Sequence, residues 1–264
     1  MINIPTKVSA QLASGLKKYQ PILTKARSAD VNESDTVTIV VDILSDLFGY
    51  DKYSEITSEF AIKKTFCDLA IKIDGKVSLL IECKAIGLSL KDDYARQATN
   101  YAADSGIEWV LLTNGIDWKV YKILFAKPID RELVYEFDMT NMSGKKQSDL
   151  EMLFYLSRES RNGKSKNTLE ELHVQKQLVN KFIIGQILCT EPVLDCVRKQ
   201  LRKMSADLKP SNEELKSIIY DEIIKREVTE GEKATEALKK IQKMERLEKV
   251  ADKVLKTKTV EEKV

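Results

Sequence analysis

The chain has 264 residues, and its 43 Lys and Arg against 41 Asp and Glu give a formal net charge of +2 at pH 7. This balance excludes a general polyanion-binding protein, so any contact with nucleic acid must be local. Four scattered cysteines and one histidine argue against a disulfide scaffold or a structural zinc site, and no apolar run is long enough to span a membrane.

The first 140 residues alternate predicted helices and strands. The apolar spacing of Glu33–Phe48 predicts an amphipathic helix with Asn32 as its N-cap, and a second helix is predicted at Ser89–Ala103. The Asp74-Gly75 pair is the strongest hairpin signal in the chain. Strands are predicted at Ile56–Ile62, Phe66–Ile73, Val77–Lys84, Trp109–Thr113, Trp118–Phe125 and Leu133–Phe137.

The remaining residues are almost wholly helical by pattern, and the polar stretch Asn141–Lys146 indicates a domain boundary before them. We therefore expect an α/β domain over residues 1–140, with a central mixed sheet flanked by helices, and an all-helical domain over 141–264. Helices are predicted at Leu169–Leu188, Pro192–Ala206, Asn212–Val228 and Glu232–Lys256. The helical domain could serve oligomerisation or DNA contact. The apolar stripe of its last helix fits either packing within the subunit or a homodimer through the C-terminal helices; its members are Leu238, Ile241, Met244, Leu247 and Val254.

One short region of the first domain contains candidate catalytic residues. Glu82 and Lys84 are two residues apart on a predicted strand, so both side chains point to the same face. Asp68 lies on the preceding strand, and the hairpin would bring it next to Glu82. Two carboxylates that converge on one point suit a hard cation such as Mg²⁺. A neighbouring lysine can orient a water and stabilise developing negative charge.

The register of the hairpin tests this arrangement. An ideal two-residue turn pairs Ile73 with Lys76 and would set Asp68 opposite Ile81, on the wrong face for a shared site. We therefore expect one extra residue, in a three-residue loop or a β-bulge.

The order of Asp68, Glu82 and Lys84 along the chain resembles the pattern of the PD-(D/E)XK nuclease superfamily. Asp68 stands at the first acidic position, and Glu82-Cys83-Lys84 matches the Glu-X-Lys element. More specifically, residues 30–125 are similar to the N-terminal nuclease domain of type I restriction enzyme R subunits. The supporting matches are Asn32-Glu33, Leu47-Phe48-Gly49-Tyr50, Glu59, Gln97-Ala98-Thr99-Asn100-Tyr101 and Leu112-Thr113-Asn114-Gly115-Ile116-Asp117-Trp118. Cys67 stands where the family pattern often has proline.

The resemblance implies a Mg²⁺-dependent, or Mn²⁺-dependent, DNA endonuclease of restriction or phage-related DNA metabolism. Asp68 and Glu82 would bind the metal, with the Cys83 carbonyl as a further ligand, and Lys84 would position the attacking water. Glu33 would complete the acidic cluster, and Gln97 would hydrogen-bond near Lys84 or to a DNA phosphate.

Two other interpretations remain open: a catalytically silent module that binds nucleic acid or protein, and an interaction protein in which the helical half does the main work. No GxxxxGK[ST] motif is present, so an ATP-driven function would require a partner such as a helicase, and a methyltransferase subunit is another candidate partner. We expect a cytoplasmic protein with no membrane contact.

Overall fold

The computed structural model describes residues 2–62, 65–161 and 169–261. The chain forms two compact units, Met1–Val174 and Gln175–Val264. The described strands lie in the first unit, and the second is helical.

The first unit is built on a six-stranded mixed sheet whose strands lie side by side in chain order. Strands β3 and β4 are parallel, and the other neighbouring strands are antiparallel. The bounds are β1 (Ile56–Ile62), β2 (Thr65–Ile73), β3 (Lys76–Cys83), β4 (Trp109–Thr113), β5 (Asp117–Leu124) and β6 (Asp130–Asp138). This architecture confirms the expected fold class of a mixed sheet with flanking helices, followed by a helical region.

Helices cover both faces of this sheet. Their bounds are α1 (Thr6–Ser28), α2 (Glu33–Asp46), α3 (Asp92–Ser105) and α4 (Gln147–Phe154). Helices α1, α2 and α4 share one apolar cluster with one face of the sheet, which we call the α2-side core; it includes Ile43, Leu69 and Ile81. Helix α3 packs on the opposite face, in the α3-side core, which includes Leu80 and Leu112.

Two local features place the helices that border the site. Helix α2 begins at Asn32, whose side chain accepts a hydrogen bond from the backbone N–H of Asp35 at 2.9 Å. The buried residues of helix α3 are small, so the helix can lie close against β3 and β4; they are Ala95, Ala98, Thr99 and Ala102.

The first compact unit continues beyond residue 140, the boundary expected from the sequence. The reason is that Leu150 and Leu153 of α4 are buried in the α2-side core. Helix α1 had no counterpart in the predicted elements. It joins the same core because Leu12, Leu16 and Leu23 are buried at helical spacing.

Two of the four helices predicted in the second half of the chain are interrupted in the structure. The predicted helix Leu169–Leu188 is two helices, because Asn180 caps a new one by accepting from the N–H groups of Phe182 and Ile183. The predicted helix Asn212–Val228 is also interrupted. The bounds are α5 (Leu169–Leu178), which crosses the division between the units, α6 (Lys181–Leu188), α7 (Glu191–Met204), α8 (Asn212–Ser217), a π-helical turn (Ile218–Ile223), α9 (Arg226–Thr229) and α10 (Glu232–Glu261).

The apolar stripe of α10 is only partly used within the unit. Ile241 is buried with Ile183 of α6, whereas Leu238, Met244 and Leu247 are exposed. The side chain of Val254 lies outside the described residues. The homodimer stays a prediction.

Candidate active site

The β2–β3 hairpin contains the bulge that the site requires. Asp74 and Gly75 have φ of +51° and +76°, as expected for a tight hairpin turn that favours Asp-Gly. The register is ideal for Ile73 with Lys76 but shifts beyond Lys72, because Ser78 is an extra residue on β3. The expected β-bulge is therefore confirmed.

The shifted register aligns Asp68 with the end of β3. Leu69 pairs with Ile81, so the residues that follow in the ladder are Asp68 and Glu82. The Asp68 carboxylate accepts a hydrogen bond from the backbone N–H of Cys83, with 2.7 Å between Oδ2 and N. This cross-strand bond holds the first acid against the Glu-X-Lys segment.

Glu82 and Lys84 form a buried ion pair. Lys84 Nζ donates to Glu82 Oε1 at 2.8 Å, and the two residues are only 8% and 2% exposed. Glu33, in the first turn of α2, lies 3.6 Å from the same ammonium through its Oε1. Cys83 points into the α2-side core, as expected from strand alternation.

The pKa values of Glu82 and Lys84 are both raised, for different reasons. Burial raises the pKa of Glu82 to about 6, and the negative charge of Asp68 adds to the effect, although the Lys84 hydrogen bond opposes it. Burial alone would lower the pKa of Lys84, but the hydrogen bond and charge of Glu82, with the charges of Asp68 and Glu33, outweigh it and raise that pKa. Lys84 is therefore an ammonium at neutral pH.

The second carboxylate oxygen of Glu82 tests whether the site suits a cation. Within the described residues, Oε2 is buried and has no hydrogen-bond partner. A buried anionic oxygen without a partner is costly unless a cation or donor reaches it. Mg²⁺ commonly binds through one or two carboxylates, with waters and substrate phosphates completing its shell. Glu82 and Asp68 fit that ligand set. Among the described residues, no group of three or more His, Cys, Asp and Glu side chains is arranged to hold a metal.

The side chain of Gln97 contacts another residue of α3. It is exposed on α3, and its Nε2 donates to the Tyr101 hydroxyl at 2.9 Å, while no hydrogen bond with Lys84 occurs among the described residues. Tyr101 packs partly against the α3-side core. The role of Gln97 stays a prediction.

The sequence analysis missed one aromatic residue of the site. The ring of Tyr94, in the first turn of α3, has its centroid 5.5 Å from Lys84 Nζ. Tyr94, Gln97 and Tyr101 recur at three- and four-residue steps, which places them along one side of α3. This spacing in the sequence could have indicated that Tyr94 lies on the same side of the helix as Gln97.

A second missed feature is the backbone of β1 opposite Asp68. Glu59 has φ of +49°, in the left-handed region, and the ladder pairs residues 58 and 60 with β2 but not Glu59 with Asp68. On β2 the usual alternation also fails here, because Cys67 lies in the α3-side core and Leu69 in the α2-side core. Irregular strands of this kind can re-aim a side chain beside a functional site.

Comparison with known proteins finds the same family that the sequence motifs resemble. The family model for the type I restriction enzyme R protein N terminus matches residues 34–131, just over a third of the chain. The matched range contains Asp68, Glu82, Lys84 and Gln97, and Glu33 lies one residue before it. Searches of curated proteins and of solved structures gave no match. None of the described helices combines the length and apolar character needed to traverse a bilayer. The sheet-bearing part of the chain is thus similar to the N-terminal region of type I restriction enzyme R proteins.

Proposed function

We propose that the protein is a metal-dependent nuclease that hydrolyses phosphodiester bonds in DNA, with Mg²⁺ as its metal and Mn²⁺ as a substitute. The setting would be restriction or phage-related DNA metabolism, by analogy with the matched family. The arrangement of Asp68, Glu82 and Lys84 corresponds to the PD-(D/E)XK pattern that the sequence resembles.

The observation that carries this proposal is the buried Oε2 atom of Glu82. The fold places this atom beside an ammonium that already occupies the other oxygen, and the described residues supply no donor for it. The carboxylate is therefore oriented by Lys84 while one oxygen stays available for a cation.

The mechanism follows from the roles that these groups can play. Asp68 and Glu82 would hold the metal, with the Cys83 carbonyl as a further ligand, and Glu33 would add negative charge at the border of the site. When bound, the metal would polarise the scissile phosphate and favour ionisation of the attacking water. Lys84, an ammonium through its raised pKa, would donate a hydrogen bond to that water or to a phosphate oxygen and stabilise the negative charge that develops.

The experiment compares two buried, ion-paired lysines of the first unit, Lys84 directly after β3 and Lys122 in β5. Plasmid and single-stranded DNA are incubated with the parent, Lys84→Met and Lys122→Met, in Mg²⁺, in Mn²⁺ and in EDTA. Lys122 is the matched control, since it is 9% exposed and pairs with Glu108 and Glu170.

We expect cleavage by the parent in the presence of metal and a loss of about 100-fold or more in Lys84→Met, the scale of removing one group that stabilises the transition state. Lys122→Met should cleave within a few-fold of the parent. Equal losses in both variants would show a stability effect and would contradict the role of Lys84.

A catalytically silent binding module is the second candidate. It is favoured by the absence of any three-residue metal cluster among the described side chains. A parent that binds DNA but cuts none of the substrates with either metal would support this module. Copurification with a helicase or methyltransferase subunit would indicate that the chain acts within a larger assembly.

A further inference from the structure

The ammonium of Lys84 lies close to two carboxylates and one aromatic ring. Glu82 accepts its hydrogen bond, Glu33 lies 3.6 Å away, and the ring of Tyr94 has its centroid at 5.5 Å. A cation within about 6 Å of an aromatic centroid is attracted by the ring quadrupole, more strongly where water is excluded. Lys84 is almost fully buried, so this condition holds.

The ring is placed by a segment that is tied to the neighbouring strands. Asn114 Nδ2 donates to the carbonyl of Leu88 at 2.8 Å, and Lys119 Nζ donates to the carbonyl of Leu90 at 3.3 Å. Arg131 then pairs with Asp92 Oδ1 at 2.6 Å, at the first residue of α3. These contacts fix the connection between Lys84 and α3 from three different positions, so that the start of α3 is held beside the site.

Acids alone would leave the position of Lys84 poorly defined. A lysine has four rotatable bonds, and a flexible ammonium can shift among several nearby carboxylates, here those of Glu82, Glu33 and Asp68. The Tyr94 ring adds an attractive surface that no carboxylate provides and fills space that water would otherwise occupy.

We propose that Tyr94 is a positioning residue that keeps the Lys84 ammonium on Glu82 and so oriented towards the scissile phosphate. This inference rests on the proposed nuclease function. Tyr94 acts through Lys84 by its ring face and not through its hydroxyl, which makes no hydrogen bond within the described part of the chain.

The test separates the ring from the volume and from the hydroxyl. Tyr94→Phe keeps the ring, Tyr94→Leu keeps apolar packing against the α3-side core, and Tyr94→Met is a second ring-free variant, with good helix propensity, if Tyr94→Leu does not fold. Two measurements are made on each: steady-state cleavage of DNA, as kcat and KM, and the NMR order parameter of the Lys84 Cε methylene in metal-free, DNA-free protein labelled at lysine.

We expect Tyr94→Phe to match the parent within about twofold in kcat. The ring-free variants should lose about 2- to 30-fold in kcat, the range of one cation–π contact, with KM unchanged. Their Lys84 order parameter should fall, while that of Tyr94→Phe stays at the parent value.

An unchanged order parameter in the folded ring-free variants would overturn the proposal, as would equal losses in Tyr94→Phe and Tyr94→Leu. A parent that cuts no DNA would refute the nuclease function instead. The order parameters would still decide whether Tyr94 holds Lys84, because they are measured without metal or substrate.

Discussion

The ion pair between Glu82 and Lys84 can be measured by a double-mutant cycle followed over pH in metal-free protein. The variants are Glu82→Gln, Lys84→Met and the double substitution, which are close in volume to the parent side chains. We expect a coupling energy near zero at pH 5 that grows steadily above pH 6, because the two groups attract only when Glu82 is ionised.

The sign follows from the direction of the pKa shift. The pKa of Glu82 is raised from 4.5 in the unfolded chain to about 6 by burial in the native protein. Its contribution to the free energy of unfolding is therefore greatest below pH 4.5, falls as the pH rises to 6, and is constant above that. At 1.36 kcal/mol per pKa unit, the total fall in the parent is about 2 kcal/mol.

Lys84 limits this fall, because its ammonium stabilises the ionised carboxylate. Without the ammonium, the pKa of Glu82 rises further, because the Lys84 hydrogen bond no longer opposes the effect of burial. The free energy of unfolding of Lys84→Met should then continue to fall above pH 6, by at most about 1.4 kcal/mol per pH unit. The coupling energy should therefore be larger at pH 7 than at pH 6, and at pH 8 no smaller than at pH 7.

The assay is urea unfolding with EDTA, followed by tryptophan fluorescence at pH 5, 6, 7 and 8. The only two tryptophans, Trp109 and Trp118, both lie in the first compact unit, so the signal reports on the unit that holds the site. Interactions of Lys84 with Asp68 and Glu33 cancel in the cycle. A coupling energy that is independent of pH would refute the reasoning, since Glu82 would then not be the group that titrates against Lys84.

Two further outcomes follow from the same geometry. At a Mg²⁺ concentration 100-fold above its Kd, the free energy of unfolding of the parent, measured by thermal denaturation, should rise by about 2.7 kcal/mol. The same addition should stabilise Asp68→Asn little or not at all, and an equal stabilisation of that variant would place the metal elsewhere. Because Glu59 occupies the left-handed region, Glu59→Gly should be more stable than Glu59→Val by about 1–2 kcal/mol in urea unfolding, the reverse of the usual strand preference; a more stable valine variant would show that the φ value imposes no strain.

The parts of the site that could be predicted are those that depend on local sequence. Strand alternation alone places Glu82 and Lys84 on one face and Cys83 on the other, and the Asp74-Gly75 turn requires no tertiary information. Together they also show that an ideal hairpin could not bring Asp68 to Glu82. The need for an extra residue was therefore visible in the sequence.

The choice between a longer loop and a bulge was not visible. The bulge residue Ser78 donates a weak hydrogen bond to the carbonyl of Ile71, at 3.4 Å, and its own carbonyl accepts from Arg161 Nη2 at 2.6 Å. Arg161 lies 83 residues further along the chain. No local pattern contains a contact of that separation, and the same holds for the Tyr94 ring on Lys84, which depends on how α3 packs against the sheet.

Some helix boundaries were predicted wrongly because periodicity alone does not decide where a helix begins or ends. The apolar spacing of residues 169–188 continues through Asn180, so periodicity alone predicts one helix, although the Asn180 side chain favours a new start. Helix α1 contains Pro21 in its interior, and an interior proline normally indicates a break in a helix. In the folded chain Pro21 is exposed and the buried leucines of α1 decide the outcome.

A comparison of the two buried lysines explains why only one of them indicates a cation site. Lys122 is bound by Glu108 and Glu170, whose side chains are 57% and 53% exposed, so water solvates the excess negative charge there. At Lys84 the principal acid is buried with it, and Asp68 and Glu33 add two further carboxylates around one ammonium. Hydrogen bonding within the described chain satisfies one Glu82 oxygen and leaves the other without a partner. Solvent cannot correct this imbalance at a buried atom, and the divalent cation of the proposed nuclease would supply the counter-charge.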